Sequence, residues 1–265
     1  MPRPRKLSIP KYHWVRDPVD TRDHIYNPAA LGAGSTVLPA TVDLRSNDSP
    51  IQDQGQLGSC TGNAIAGMID LIDKKNKKNL QVSRLFIYYQ ERLIEGTVNY
   101  DSGAYIRDGM SAVHNYGAPL ETVWPYIINR FATRPSTAAY SDAALRKVTS
   151  YQKCLNFTAV KTALSQGYPV AVGFDVYQSF ESSATAATGI MTYPNVYREQ
   201  LLGGHAVALE GYYDNFRGTG KGYFIARNSW GTSWGDHGYF YMPYQVIQDT
   251  TMSSDFWLIA AVKNP

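Results

Sequence analysis

A glutamine and a cysteine six residues apart bracket a glycine-rich run, Gln54-Gly55-Gln56-Leu57-Gly58-Ser59-Cys60-Thr61. Directly after it, apolar Ile65, Met68, Ile69 and Ile72 recur at the helical period. The spacing predicts a helix with Cys60 at its N-terminus. Unpaired backbone N–H groups and the positive end of the helix dipole both favour a thiolate there. The preceding loop can fold the Gln54 side-chain amide back over the sulfur. A nucleophile with an oxyanion donor beside it supplies two of the parts that acyl transfer needs. Two later segments could supply a base and a group to orient it. In Gly203-Gly204-His205-Ala206-Val207, His205 opens a strand, and Asn228-Ser229-Trp230-Gly231-Thr232-Ser233-Trp234-Gly235 follows another.

The elements that must position these groups fall into two halves. Beyond the helix opened by Cys60, Ser83 reads as the N-cap of a second helix carrying Leu85, Phe86, Tyr89 and Leu93. A glycine-containing loop from Asn99 to Tyr105 leads to a third, with Ile106, Met110 and Val113, stopped at Gly117. Residues 130–144 are small, polar and turn-rich, suiting a crossover. From about residue 145 the pattern shifts to period two with β-branched and aromatic side chains. Strands are predicted at 170–176, 205–213, 222–227, 238–242 and 256–262, with one short helix near 157–166. Helices first and strands second predict an α+β chain, divided into 38–144 and 145–265.

Composition adds bounds. The 265 residues are 44% hydrophobic and 18% charged with a net charge of +3, an ordinary globular balance long enough for two cores or one large one. No apolar run approaches the roughly 18 residues of a membrane span. Two cysteines, Cys60 and Cys154, rule out a disulfide framework. Cys154 reads as an inert core thiol, and no Cys/His grouping has metal-ligand spacing, so no metal and no cofactor is expected. The basic start, Met1 to Lys6, is followed by no apolar signal core. That leaves location open between cytoplasm and export by an unseen route.

The three chemical segments together resemble the papain-like, cathepsin-type cysteine peptidases. In that family a glutamine-glycine loop ends in Gly-Ser-Cys, a later His-Ala or His-Gly begins a strand, and Asn-Ser-Trp-Gly precedes Trp-Gly. Here the last motif continues in full through Gly238-Tyr239, and the histidine and asparagine follow the cysteine by 145 and 168 residues. The resemblance, over about residues 38–262, implies a two-domain fold: a helical left domain, an antiparallel β-barrel-like right domain and a cleft between them. It implies Cys60 as nucleophile, His205 as its partner, already cationic in the resting pair, and Asn228 as orienter of the imidazole. Gln54 and the Cys60 N–H would form the oxyanion hole, and Trp230 would shield the His205–Asn228 bond. Gly103, Ala104, Gly204 and Trp230 would contact a polypeptide substrate.

The departures are specific. Thr61 stands where the family usually has tryptophan or tyrosine, Leu57 replaces a half-cystine, and Ala104 replaces the second of two cleft glycines. Residues 1–37 are much shorter than the usual helical propeptide and look like the leader of some bacterial members. Tyr12, Trp14, Val15, Ile25 and Tyr26 are too apolar for a solvated tail, while Gly32-Ala33-Gly34-Ser35 reads as a joint. The segment is therefore expected to act as the chain's own inhibitor, crossing the groove over Cys60 in a proenzyme. His13, His24, His114 and His237 have no catalytic context and read as surface or structural. An acyl transferase or deamidase using the same Cys-His-Asn site is the competing expectation. A nucleic-acid partner would rest only on the basic first sixteen residues and is not expected. Nothing in the sequence fixes the oligomeric state; a monomer is the default.

Overall fold

The computed structural model describes residues 12–28 and 37–263. The basic residues Arg3, Arg5, Lys6 and Lys11 and the Gly32–Ser35 joint lie outside the described residues. Helix α1 spans Cys60–Lys75, α2 Arg84–Ile94 and α3 Ile106–Asn115. Ser83 caps α2 by accepting from the Phe86 N–H, which satisfies one of the free donors at the helix start. The stretch expected to be a plain crossover instead folds a short helix, α4 (Thr137–Ala143), capped by Ser136 onto the Ala139 N–H.

Among the described residues seven strands follow in order: β1 Thr41–Asp43, β2 Lys147–Cys154, β3 Val170–Tyr177, β4 Leu201–Tyr213, β5 Tyr223–Arg227, β6 Tyr239–Pro243 and β7 Ser253–Lys263. They form one antiparallel sheet in the order β2-β7-β3-β4-β5-β6, with β1 pairing on β4. The sheet is open, with edges at β2 and β6, rather than a closed barrel. Helix α5 (Phe157–Ser165) packs against it, and α6 (Ser183–Thr188) and α7 (Tyr244–Gln248) complete the strand-rich half. Among the described residues no helix is long and apolar enough to cross a membrane.

Ile65, Met68, Ile69 and Ile72 of α1 are all buried. They share a core with Ile106, Met110 and Val113 of α3 and with Ala171, Ala206, Ala208, Trp257 and Ile259 of the sheet. The alanines on β3 and β4 leave room for α1 to lie close to the strands. A second core on the other sheet face contains Phe174, Phe224, Phe240 and Leu258. Helices and sheet thus meet through a packed apolar layer that fixes the start of α1 relative to β4 and β5.

Candidate active site

Cys60 is the first residue of α1, so its backbone N–H has no acceptor within the helix. His205 lies on β4 opposite Phe174 of β3, and Asn228 comes directly after β5. The Asn228 Oδ1 accepts from the Ser229 N–H at 2.9 Å, which identifies that atom as the oxygen. His205 Nε2, 2.9 Å from the same Oδ1, is therefore the protonated nitrogen. This leaves Nδ1 as the free base, and it is buried without a protein partner. The Ala206 N–H, next in chain to His205, faces the Cys60 sulfur. Trp230 stacks on the imidazole at 5.1 Å between centroids, beside the His205–Asn228 bond.

Gln54 is fully buried and held on both sides. Its Nε2 donates to the Leu57 carbonyl at 2.9 Å, leaving one N–H of the amide unspent, and its Oε1 accepts from Ser229 Oγ at 2.5 Å. Its backbone N–H bonds the Ser229 carbonyl at 2.8 Å, and the Gly231 N–H bonds the Gln52 carbonyl at 3.0 Å. The glutamine loop is thereby stitched antiparallel to the asparagine loop. Arg227, buried just before Asn228, pairs with Asp48 and donates to the Ser49 and Pro50 carbonyls at 2.8 Å each. A charge-assisted cluster of this kind pins the end of β5.

Supports invisible in the sequence surround these groups. The Tyr126 hydroxyl donates to the Gln54 carbonyl at 2.9 Å and lies 2.6 Å from Ser59 Oγ, joining both ends of the nucleophile loop. Asp101 accepts from the Gly58 N–H at 2.9 Å and from the Tyr88 hydroxyl at 2.7 Å, while the Gly103 N–H donates to Tyr88 at 3.1 Å. Thr61 donates to the fully buried Glu91 at 2.7 Å. These side chains lie far apart in sequence from the groups they hold, and no spacing rule marks them.

Residues 12–14 lie across this constellation. The Trp14 N–H donates to the Gly204 carbonyl at 2.9 Å, and Trp14 forms a parallel bridge with Ala104. The His13 N–H faces the Cys60 sulfur. Gly103, at φ +72°, meets the His13 carbonyl so closely that a Cβ would fall 1.8 Å from its oxygen. Tyr12 packs edge-on against both His205 and Trp230 at 5.9 Å. All four residues assigned to substrate contact (Gly103, Ala104, Gly204 and Trp230) therefore touch this segment. His13, read as surface or structural, is the residue placed over the thiol, by its backbone rather than its ring. Trp14 and Tyr26 are buried, whereas Val15 and Ile25 are largely exposed.

Covering the site alters its electrostatics. Cys60 and His205 are both fully buried. Burial pushes the thiol up to about 11 despite the N–H groups of Ala206, His13 and Thr61 that face it. Burial pulls the imidazole down to about 4 against the opposing bond from Asn228. In the covered state burial thus favours the neutral form of both groups, against the ion pair expected for an open site. Desolvation of two charges outweighs the helix terminus when water is excluded. Among the described residues no group of three or more His, Cys, Asp or Glu could hold a metal ion.

A domain described as papain family cysteine protease matches residues 38–258. An uncharacterized peptidase C1-like protein of Acanthamoeba polyphaga mimivirus is 41% identical over 225 residues, covering 80% of this chain and 70% of the viral one. Cathepsin K of Mus musculus is 30% identical over 83% of this chain, which spans 63% of that relative's length. The crystal structure of xylellain, a cysteine protease from Xylella fastidiosa, is 37% identical with a TM-score of 0.82, covering 96% of both chains. The fold, the cysteine at the helix start and the histidine-asparagine pair agree with the family model and these relatives: the chain belongs to the papain family of cysteine proteases.

Proposed function

We propose that the chain is a cysteine endopeptidase in which Cys60 attacks the scissile carbonyl, His205 moves the proton and Asn228 aims the imidazole. The observation that carries this reading is the His205 Nε2–Asn228 Oδ1 bond of 2.9 Å, which leaves Nδ1 free as the base beside a helix-start cysteine. Once the groove opens to water, His205 takes the thiol proton and the helix terminus stabilises the thiolate. Attack puts negative charge on the carbonyl oxygen, which the Cys60 N–H and the spare N–H of Gln54 receive. His205 gives its proton to the leaving amine as the C–N bond breaks, forming the thioester. Water, deprotonated by His205, then releases the acid and restores the thiol.

Residues 12–28 hold this enzyme latent. His205 protonates the leaving amine, so the leaving half of a substrate must lie on the imidazole side, where Tyr12 sits. The acyl half then lies toward Gly103 and Ala104, where Trp14 sits. The segment runs from the first position to the second, opposite to a substrate, and presents an N–H rather than a carbonyl carbon to the sulfur. It fills the groove without offering a bond to cut.

The test compares the full-length chain with Cys60→Ala. Hydrolysis of a general peptide substrate and covalent labelling by a thiol-directed epoxide are expected only with Cys60 present. Equal turnover by Cys60→Ala would sink the mechanism. A shortened, folded chain beginning near residue 38 is expected to be faster than the full-length chain; equal rates would remove the inhibitory role.

A further inference from the structure

On the leaving-group side of the groove, the segment's own side chain shows what the enzyme offers a substrate. Tyr12 lies against the His205 and Trp230 rings, both at 5.9 Å. Its hydroxyl reaches past them to donate to Glu181 Oε1. Glu181 belongs to a short turn, residues 178–181, at the end of β3. It borders an open hollow of about 540 Å³ together with Gln178, Ser179, Ser182 and Glu199.

Glu199 is occupied structurally: it accepts from the Ser179 N–H and the Asn195 N–H, both at 2.8 Å, and so fixes the hollow's wall. Among the described residues Glu181 has no cationic partner, and Tyr12 is the side chain hydrogen-bonded to it. When the segment leaves, that carboxylate stays within one side-chain length of the rings flanking the leaving amine. A substrate running through the groove places its first residue after the scissile bond where Tyr12 was.

We propose that Glu181 is a specificity-determining residue that selects a lysine or arginine immediately after the scissile bond. The inference deepens the peptidase reading and rests on it. The physical reason is complementarity: a flexible cationic arm can follow the Tyr12 path over Trp230 and end at the carboxylate. A carboxylate in the same place would be repelled. The hollow is open to water, so the discrimination is that of a partly screened pair rather than a buried one.

The experiment measures kcat/KM for matched peptides differing only after the scissile bond, as lysine, norleucine or glutamate, with the cleaved bond checked by mass spectrometry. The full-length chain serves, because substrate and segment compete for one groove. The open fraction multiplies every kcat/KM alike and cancels in the ratio. Lysine is expected to exceed norleucine by about two- to fivefold at low salt, with glutamate below both, and the spread should shrink as salt is added. Glu181→Gln should bring lysine and norleucine together, and Glu181→Lys should invert the order in favour of glutamate. A lysine-to-norleucine ratio of one in the native chain, or one that survives Glu181→Gln, overturns the assignment while cleavage that depends on Cys60 leaves the peptidase reading standing. If no peptide is cut either by the full-length chain or by a folded chain shortened to begin near residue 38, the peptidase reading falls and this assignment falls with it.

Discussion

The indole of Trp14 rests directly on the backbone of Gly173 in β3: a Cβ at that glycine would fall 1.8 Å from Trp14 Cε2. The absence of a side chain on the strand is what makes the seat for the segment's largest residue. Gly173→Ala should therefore evict the indole without deleting any part of the segment. Overpacking of this kind costs about 1–3 kcal/mol, enough to raise alkylation of Cys60 by a small reagent roughly 5- to 150-fold in the full-length chain. Trp14→Ala should act in the same direction. If both variants react no faster than the native chain, Trp14 is not what closes the groove.

Gln54→Ala should lower kcat by roughly 10²–10³, the usual effect of losing one oxyanion donor, with little change in KM. It should also reduce stability by about 1–3 kcal/mol, because buried Ser229 Oγ and the Leu57 carbonyl lose their partner. Steady-state kinetics and denaturant melts separate the two effects. An unchanged kcat in a destabilised chain would leave Gln54 as a stitch between loops and nothing more.

The segment's docking should depend on pH through Asp17. Its carboxyl accepts from Trp257 Nε1 at 2.7 Å and the Arg107 N–H at 3.2 Å, while its N–H donates to Asp255. Burial first, then the Asp255 carboxylate, push Asp17 up to about 7, against the pull of Trp257 and Arg107. Burial raises Asp255 as well, against the Asp17 N–H and the Lys153 and Arg16 charges. A carboxyl with a raised folded value stabilises docking fully below its free value near 4 and loses that contribution as pH rises through about 7. Latency should thus be tightest in mild acid and relax toward neutral pH. The ratio of Cys60 alkylation rates in the native chain and Asp17→Asn cancels the thiol's own titration. That ratio should rise between pH 5 and 8 by roughly the amount one such group supplies; a flat ratio would exclude Asp17 as the sensor.

Cys154→Ser should leave activity intact but reduce stability. The thiol is 1% exposed in the core on the far sheet face, among Val160, Leu164 and Phe256. Its surroundings push it up to about 12, so it does not ionise near neutrality. A hydroxyl there without a partner costs about 1–3 kcal/mol. Loss of turnover in a fully folded Cys154→Ser chain would mean this thiol has a role beyond packing.

What the sequence made legible is what local chemistry encodes. The period of Ile65, Met68, Ile69 and Ile72 placed α1 and put Cys60 at its start, and apolar β-branched runs placed β3 to β7 within a few residues. Of strand β2 only Ser150 to Lys153 read as strand-like, because Lys147 to Cys154 is mixed and half-exposed as an edge strand can be, and β1, three residues long, gave no signal. Helix α4 lay hidden in small residues, although Ser136 was a usable cap signal. The supporting roles of Tyr126, Asp101 and Glu91 arise only when distant elements meet. The helix end that favours a thiolate at Cys60 and the segment that covers it were both legible; how strongly that cover would desolvate Cys60 and His205 was not.

The same segment that fills the groove also finishes the sheet. Its Tyr26 N–H and His24 carbonyl bond the Lys153 carbonyl and N–H, at 2.9 and 2.7 Å, on the outer side of β2. Departure of the whole segment would leave the Lys153 N–H and carbonyl unpaired at that edge, the kind of group on which a second chain can add as a strand. Lys147 and Lys153 are the charges left to discourage such pairing. The segment that closes the groove is thus also the cap on this point of the sheet edge, so uncovering the site and uncovering the edge would be one event.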